Sequence, residues 1–199
     1  MTTLVKVEAV WTPESQQKIF RAILNGFAFP GRVQDIATPL NGGRAEVGVL
    51  ASLVDEQVTL ADPDDLLSPT ERRLLAPAAI TSAGAAEYVV CDGHRAPGEA
   101  FRPNLGTIYR PEDGATLVLT SDGFPETGSR TIVTLTGPGI ETEQMFGVSG
   151  LHTDWLRARN RWCDYFPTGC DLILCGTTQI VGIPRTSRLT FNEISEEER

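Results

Sequence analysis

Lysine and histidine are scarce in this 199-residue chain, and their scarcity excludes several kinds of active site. Lys6 and Lys18 are its only lysines, one near the N-terminus and one inside a predicted helix, so neither is well placed for the Schiff base of pyridoxal phosphate. The two histidines, His94 and His152, offer few partners for a nucleophilic serine or cysteine. Familiar pyridoxal phosphate and serine-hydrolase chemistry are therefore not expected.

Motifs for nucleotides and metal clusters are also missing. The chain has no Gly-x4-Gly-Lys-Ser/Thr phosphate loop and no Gly-x-Gly-x-x-Gly fingerprint. Its four cysteines, Cys91, Cys163, Cys170 and Cys175, lack the Cys-x3-Cys-x2-Cys spacing of a radical-SAM cluster. Cys170 and Cys175 have an odd separation on a predicted strand and should face opposite sides of it. We interpret all four as reduced structural thiols and expect neither a metal nor a cofactor.

Positive charge and long apolar runs are lacking as well. The formal net charge of -9 opposes binding to nucleic acid or to anionic lipid. No stretch approaches the roughly 20 apolar residues of a membrane helix, and no signal segment is recognisable, so a cytoplasmic protein is expected. With 41% hydrophobic residues, we expect a single domain spanning 1–199, with a frayed acidic tail at 192–199.

The apolar periodicity predicts alternating helices and strands. Thr12-Pro13-Glu14 starts a helix that runs to about Asn25-Gly26, with one apolar stripe of Ile19, Phe20, Ile23, Leu24 and Phe27. Further helices are predicted at 47–54, from Ser68-Pro69 to about Pro77, and at 151–162. Strands are predicted at 58–61, 87–91, 115–120, 130–136, 171–175 and 179–184, with 115–120/130–136 and 171–175/179–184 as hairpins. The pattern indicates an α/β fold in three layers, a mixed sheet with helices on both faces.

Five side chains are candidate ligand contacts. Arg185 and Thr186 follow a strand that Pro184 should end, at an edge where α/β proteins often bind ligands. A guanidinium suits a phosphate, although an ion pair between Arg185 and Asp171 is the simpler interpretation. Arg32 has the same two interpretations, and His94 follows a strand as either an exposed loop residue or a functional group.

Two further patterns are better explained by structure or by surface. Gly169 should adopt a positive φ in the turn before Asp171, which would cap or brace this loop. Arg157, Arg159 and Arg161 alternate with other residues, a spacing that distributes them around a helix. We interpret these three arginines as a solvated or subunit-facing surface rather than as an anion site.

Segments across the chain resemble the PhnH family of the bacterial carbon–phosphorus lyase system, in the same order. They are Phe20–Arg32, with its Phe-Pro-Gly-Arg turn; Gly114–Ile140, with its Gly-Pro-Gly-Ile turn; Phe166–Leu174, with Phe-Pro-Thr-Gly-Cys-Asp; and Ile183–Thr186, which reads Ile-Pro-Arg-Thr. The resemblance implies a fold like that of pyridoxal-phosphate transferases without their cofactor. It also implies a homodimer that joins the other subunits of the lyase core complex.

With those partners, the family supports displacement of adenine from ATP by an alkylphosphonate, which gives a ribose 1-phosphonate 5-triphosphate. A different, iron–sulfur subunit breaks the carbon–phosphorus bond. The leading hypothesis is therefore an accessory subunit that is not catalytic alone and that helps to hold an anionic phosphonate or nucleotide. The alternatives are a free-standing transferase around His94, Arg185 and Asp171, and a sensor that binds a phosphonate or nucleotide without turnover.

Overall fold

The computed structural model describes residues 9–76 and 78–194 of the chain. Its helices are α1 (Pro13–Ala28), α2 (Ala37–Leu40), α3 (Ala45–Leu53), α4 (Pro69–Leu74) and α5 (Asp154–Trp162), with short 3-10 helices at Ala9–Trp11 and Pro111–Asp113. Its strands are β1 (Gln34–Asp35), β2 (Thr59–Ala61), β3 (Ala79–Ile80), β4 (Tyr88–Cys91), β5 (Thr116–Thr120), β6 (Thr131–Thr136), β7 (Gln144–Val148), β8 (Asp171–Cys175), β9 (Gln179–Ile183) and β10 (Arg188–Glu193). None of the described helices is long and apolar enough to cross a membrane.

Seven strands form one large mixed sheet in the order β1-β9-β8-β5-β4-β2-β3. The pairs from β8 through β5, β4 and β2 to β3 are parallel, whereas β9 pairs antiparallel with both β8 and β1. Successive residues of the central strands enter different cores: Leu117 and Leu119 join the core on one face, and Val118 joins the core on the other. The sheet is therefore buried on both faces, as parallel strands require.

Helices α1, α2 and α3 cover one face of this sheet. Thr12 caps α1 through its side chain, and Pro13 is the first helical residue, as predicted, but the helix continues to Ala28. Ile19 and Ile23 are buried. α1 crosses β9 where Gly26 meets Gly182, and a side chain on Gly182 would come within 2.8 Å of the Gly26 backbone.

The predicted apolar stripe of α1 was wrong at two positions. Phe20 and Leu24 are exposed to 41% and 52%, because the buried face of α1 is centred on Ile19, Ile23 and Gly26. Residues one position further along an α-helix lie about 100° around its axis. Phe20 and Leu24 are therefore apolar side chains on the solvent-exposed face of α1.

A small antiparallel sheet in the order β10-β6-β7 lies on the other face, together with α5. The predicted hairpin 115–120/130–136 was wrong, because β5 belongs to the large sheet and β6 to the small one. β5 is a continuously buried strand, whereas burial alternates along β6, so the two strands suit different environments. The second predicted hairpin is confirmed as β8–β9.

The structure confirms a mixed α/β fold with a large mixed sheet. The second face is covered by one helix and a small sheet rather than by helices alone. Of the tail predicted to fray, Asn192 and Glu193 pair with β6 as the end of β10, and 195–199 lie outside the described residues. The helix end predicted at Pro77 also lies outside them, although α4 itself begins as predicted with a capping box from Ser68 and Glu71.

Candidate functional site

Asp171 and Arg185 meet at the edge of the large sheet where the parallel strands begin. Asp171 is the first residue of β8, and Arg185 follows the end of β9. Asp171 Oδ2 accepts hydrogen bonds from Arg185 Nε at 3.1 Å and from a terminal guanidinium nitrogen at 2.6 Å, and Oδ1 accepts the Arg185 backbone N–H at 2.6 Å. The pair joins the two arms of the β8–β9 hairpin.

The guanidinium of Arg185 also holds the segment that leads into β5. It donates to the carbonyl oxygens of Pro111 at 2.5 Å and of Gly114 at 2.9 Å. Burial lowers the pKa of Arg185, but the adjacent Asp171 carboxylate outweighs burial and raises it. Gly169 has a φ of 144°, so the predicted positive φ before Asp171 is confirmed. This arrangement is a brace, with most Arg185 donors already occupied.

A cavity of about 690 Å³ opens beside this brace. Its walls come from the end of α5, the loop that follows it, the β9–β10 connection and the start of β10. The lining residues are Pro138, Arg159, Asn160, Cys163, Asp164, Phe166, Arg185, Thr186, Ser187, Arg188 and Leu189. Three arginines and one carboxylate therefore share this cavity.

Arg159 is buried beside this cavity, with a relative exposure of 2%. The prediction that Arg157, Arg159 and Arg161 belong to a solvated or subunit-facing surface was therefore wrong for the middle residue. One terminal nitrogen of Arg159 donates to the carbonyl oxygens of Pro184 at 2.7 Å and Ser187 at 2.8 Å. In the described part of the chain, Arg159 has no ion pair with a carboxylate, and its Nε has no hydrogen-bond partner.

Ser187 and Arg188 complete the polar part of the wall. Ser187 is 3% exposed, and its hydroxyl oxygen has no partner among the described residues. Arg188 and Thr186 are exposed. The turn between β9 and β10 thus presents three consecutive polar side chains at the cavity.

Cys163 lies on the cavity wall and contacts Cys170. The Cys163 Sγ is 3.5 Å from the backbone oxygen of Cys170. A hydrogen bond with the Cys170 thiol, helped by the charge of Arg159, lowers the pKa of Cys163 to about 6 despite its burial. The same hydrogen bond together with burial raises the pKa of Cys170. Cys163 is the thiol with the greater thiolate character in this pair.

A second polar cluster lies around His94, at the end of the sheet where the parallel strands finish. Its Nδ1 lies 2.8 Å from Asp92 Oδ1, its Nε2 lies 3.1 Å from Asp122 Oδ1, and Thr120 Oγ1 is 3.4 Å from Nδ1. Burial lowers the pKa of His94, but the two carboxylates outweigh it and raise the pKa above its ordinary value. Burial raises the pKa of Asp92, but hydrogen bonds with His94 and Arg95 lower it overall.

The structure brings Asp171, Arg185 and Thr186 together but not His94. Asp171 pairs with the first residue of β5, whereas His94 contacts Thr120, the last. Four residues of extended strand separate these ends, roughly 13 Å. Arg32 follows the turn after α1 and lies over the Phe29 ring, with 4.8 Å from its guanidinium carbon to the ring centroid. Arg32 does not line the cavity beside the brace.

Two kinds of cofactor-binding group can be compared with the described residues: clustered metal ligands and a lysine near the cavity. They include no group of three or more histidine, cysteine, aspartate or glutamate residues suited to hold a metal ion. Lys18 is exposed on α1 and pairs with Glu14 at 2.7 Å, away from the cavity. Lys6 lies outside the described residues. The described part of the chain therefore offers no lysine that fits a Schiff base with pyridoxal phosphate.

The fold and the site define a mixed α/β protein with polar loops at both ends of the parallel strands of one large sheet. An arginine-lined cavity lies at the end where these strands begin. The chain belongs to the PhnH family, described as a bacterial phosphonate metabolism protein, whose family model matches residues 8–190.

Two curated relatives are similar over most of their length. A putative C-P lyase subunit protein, HtxG, from Stutzerimonas stutzeri is 38% identical over 182 residues, which cover 92% of this chain and 89% of the relative. The alpha-D-ribose 1-methylphosphonate 5-triphosphate synthase subunit PhnH from Rhizobium meliloti (strain 1021) is 30% identical over 193 residues, covering 87% of this chain and 89% of the relative. The predicted family is confirmed.

Proposed function

We propose that this chain is a subunit of a carbon–phosphorus lyase core complex and is not catalytic alone. In that complex it supports transfer of the ribose triphosphate moiety of ATP to an alkylphosphonate, with displacement of adenine. The family match over 8–190 carries this proposal, and the names of both relatives support it. Its place of action would be the cytoplasm, where ATP is available.

The arrangement of the titratable side chains favours an accessory role. In the described part of the chain, the His94 ring forms hydrogen bonds with Asp92, Asp122 and Thr120 but with no serine or cysteine side chain. The Asp171–Arg185 pair is engaged in bracing the hairpin and lies at the other edge of the sheet. A free-standing transferase that uses His94, Arg185 and Asp171 together is therefore disfavoured, because these groups do not meet.

The exposed apolar side chains of α1 and the following turn support assembly with other chains. Phe20, Leu24 and Phe29 are exposed to between 41% and 52%, and large exposed apolar side chains in one region are typical of interaction surfaces. We propose that the chain forms a homodimer and also contacts companion subunits. We also propose that the fold resembles that of pyridoxal-phosphate transferases without their cofactor.

Activity assays with and without the companion subunits test this function. The isolated chain, incubated with ATP and methylphosphonate, should release no adenine, and adenine should appear when the companion subunits are added. Adenine release by the isolated chain, at the rate of the reconstituted complex, would refute the accessory role. The sensor alternative predicts saturable ligand binding and no dependence of adenine release on this chain.

Co-purification tests the role of the apolar surface on α1. The double variant Phe20→Glu, Leu24→Glu should lose the companion chains or the homodimer, because it places two charges on the proposed contact. Leu74→Glu is the matched control, since Leu74 is a helical leucine exposed to 44% on α4. Equal retention of partners by both proteins would exclude α1 as a contact surface.

A further inference from the structure

Arg159 is a buried cation that has no carboxylate counterion in the described part of the chain; the acidic group that its charge stabilises is the Cys163 thiol. Its guanidinium donates to Pro184 O and Ser187 O, and more weakly to Asn160 Oδ1 at 3.3 Å, but to no carboxylate. Fully buried arginines are rare unless they are paired, because removing a charge from water is costly. Carbonyl dipoles offset part of this cost, and the Nε donor remains unpartnered.

Ser187 adds a second unsatisfied polar group on the same cavity. Its hydroxyl is buried without a partner, although the large majority of buried polar side-chain atoms in proteins form a hydrogen bond. Ser187 and Arg159 are adjacent, since the Arg159 guanidinium donates to the Ser187 carbonyl oxygen. Two neighbouring residues with unmet hydrogen-bonding capacity therefore line one cavity.

Arg188 supplies a second cation that no carboxylate neutralises. It lines the cavity and is exposed, and it has no ion pair among the described residues, unlike Arg185, whose charge is matched by Asp171. Asp164 is the opposing group on the wall, and it is exposed to solvent, which weakens its effect on the buried floor. Two arginines without a carboxylate partner, Arg159 and Arg188, therefore line one cavity of a chain whose net charge is -9.

We propose that this cavity binds a phosphate or phosphonate group, with Arg159 and Ser187 as donors on its floor and Arg188 as the contact at its mouth. A tetrahedral oxyanion presents several equivalent acceptor oxygens, which suits donors that converge from an Nε, a hydroxyl and a second guanidinium. A cavity of about 690 Å³ has room for more than the oxyanion alone, so the rest of a phosphonate or a nucleotide fits the same class.

Calorimetric titration of the isolated chain tests the site independently of complex assembly. The probes are inorganic phosphate, methylphosphonate and ATP, which distinguish a free anion, a phosphonate and a triphosphate as the source of the group. Arg188→Gln should weaken binding of the accepted probe by about tenfold or more, because it removes one charge-assisted contact. Ser187→Ala should weaken it by a smaller factor.

Arg161→Gln is the matched control for Arg188→Gln. It removes an exposed arginine of α5, the helix that contains Arg159, and Arg161 does not line the cavity. Its affinity should equal that of the unaltered chain. Arg159 is left unchanged in this test because it also holds the β9–β10 turn through two carbonyl oxygens. Thermal unfolding of each variant checks that the fold is retained.

Modification of Cys163 provides a second measurement on the same cavity. The bound probe should slow alkylation of Cys163 by iodoacetamide, and this protection should decrease in the Arg188→Gln protein. Absence of saturable binding for all three probes would overturn the proposal. Equal weakening by Arg161→Gln, or binding that leaves Cys163 alkylation unchanged, would overturn it as well, because either result places the anion elsewhere. None of these outcomes bears on the subunit proposal, which is tested with the companion chains present.

Discussion

Replacing Asp171 by asparagine should test how much the brace between Asp171 and Arg185 stabilises the fold. An amide oxygen still accepts the Arg185 backbone N–H, so the substitution isolates the ion pair. The amide NH2 group then replaces the oxygen that accepts two guanidinium hydrogen bonds, at 2.6 and 3.1 Å, and faces those donors as a competing donor. The Arg185 charge is then left mostly buried without its counterion.

The expected loss follows from the burial of both partners. Their side chains are exposed to 14% and 19%, so the pair is close to buried but not fully desolvated. Breaking a fully buried pair by removing one partner costs about 3–5 kcal/mol, and the residual exposure reduces this to about 2–4 kcal/mol. For a chain of this length the melting temperature should fall by roughly 5–15 °C.

Urea unfolding and a double-mutant cycle are the appropriate measurements. Asp171→Asn, Arg185→Gln and the double variant should give an interaction energy of about 1–3 kcal/mol, since the two side chains are in direct contact. Asp113→Asn is the matched control, because its pair with Arg110 is more exposed and should contribute under about 1 kcal/mol. Additive effects, or a loss as small as that of the control, would refute the reasoning.

Three further predictions concern single positions. Iodoacetamide should modify Cys163 first among the cysteines, with a rate that rises through a pH of about 6 as its thiolate forms, and mass spectrometry of the alkylated chain checks this. Because the folded-state pKa of His94 is raised, its contribution to stability should be full below about pH 6.5 and be lost as the pH rises through the raised value, so His94→Asn should flatten that part of the stability–pH profile in urea unfolding. Gly182→Ala should lower the free energy of unfolding by about 1–3 kcal/mol, because the new methyl group meets the Gly26 backbone, which cannot rotate away; an unchanged urea midpoint would contradict this.

Local signals in the sequence predicted many of the elements and part of the site. Capping residues located the starts of α1 and α4. The Gly-Thr-Thr turn after Cys175 predicted the β8–β9 hairpin, and the Pro-Thr-Gly turn before Asp171 predicted the positive φ of Gly169 and a bracing role for Asp171. These features depend on neighbours a few residues apart, so a single sequence contains them. Thr186 was correctly placed just beyond the strand for the same reason.

The local sequence did not predict which strands distant in the chain pair with each other. β5 and β6 follow each other along the chain, are joined by the loop 121–130 and have similar β-branched composition, which favours a hairpin. The structure instead pairs β5 with β4 and β8, and β6 with β7 and β10. The uninterrupted apolar run at 117–119 in β5 was the available signal, because a strand with no polar alternation usually lies inside a parallel sheet.

The burial of Arg159 had a signal that the spacing argument overlooked. Trp155, Arg159 and Trp162 are separated by four and three residues, so Arg159 lies on the apolar stripe of α5 even though its neighbours Arg157 and Arg161 do not. An arginine on a buried stripe indicates a specific partner, whereas alternation with other arginines gave the opposite impression. Its contact with the β9–β10 turn spans 25 to 28 residues and could not be predicted from α5 alone.

Part of the cavity wall is synthesised late, because it comes from β10. Arg188 and Leu189 belong to β10, the last described strand, while α5 supplies the facing wall. Chains are synthesised from the N-terminus, so the parallel strands β2 to β5 exist before either wall does. A nascent or shortened chain that ends before β10 lacks the wall that Arg188 and Leu189 supply. The proposed anion site therefore depends on β10, and a chain that lacks this strand should not bind the anion.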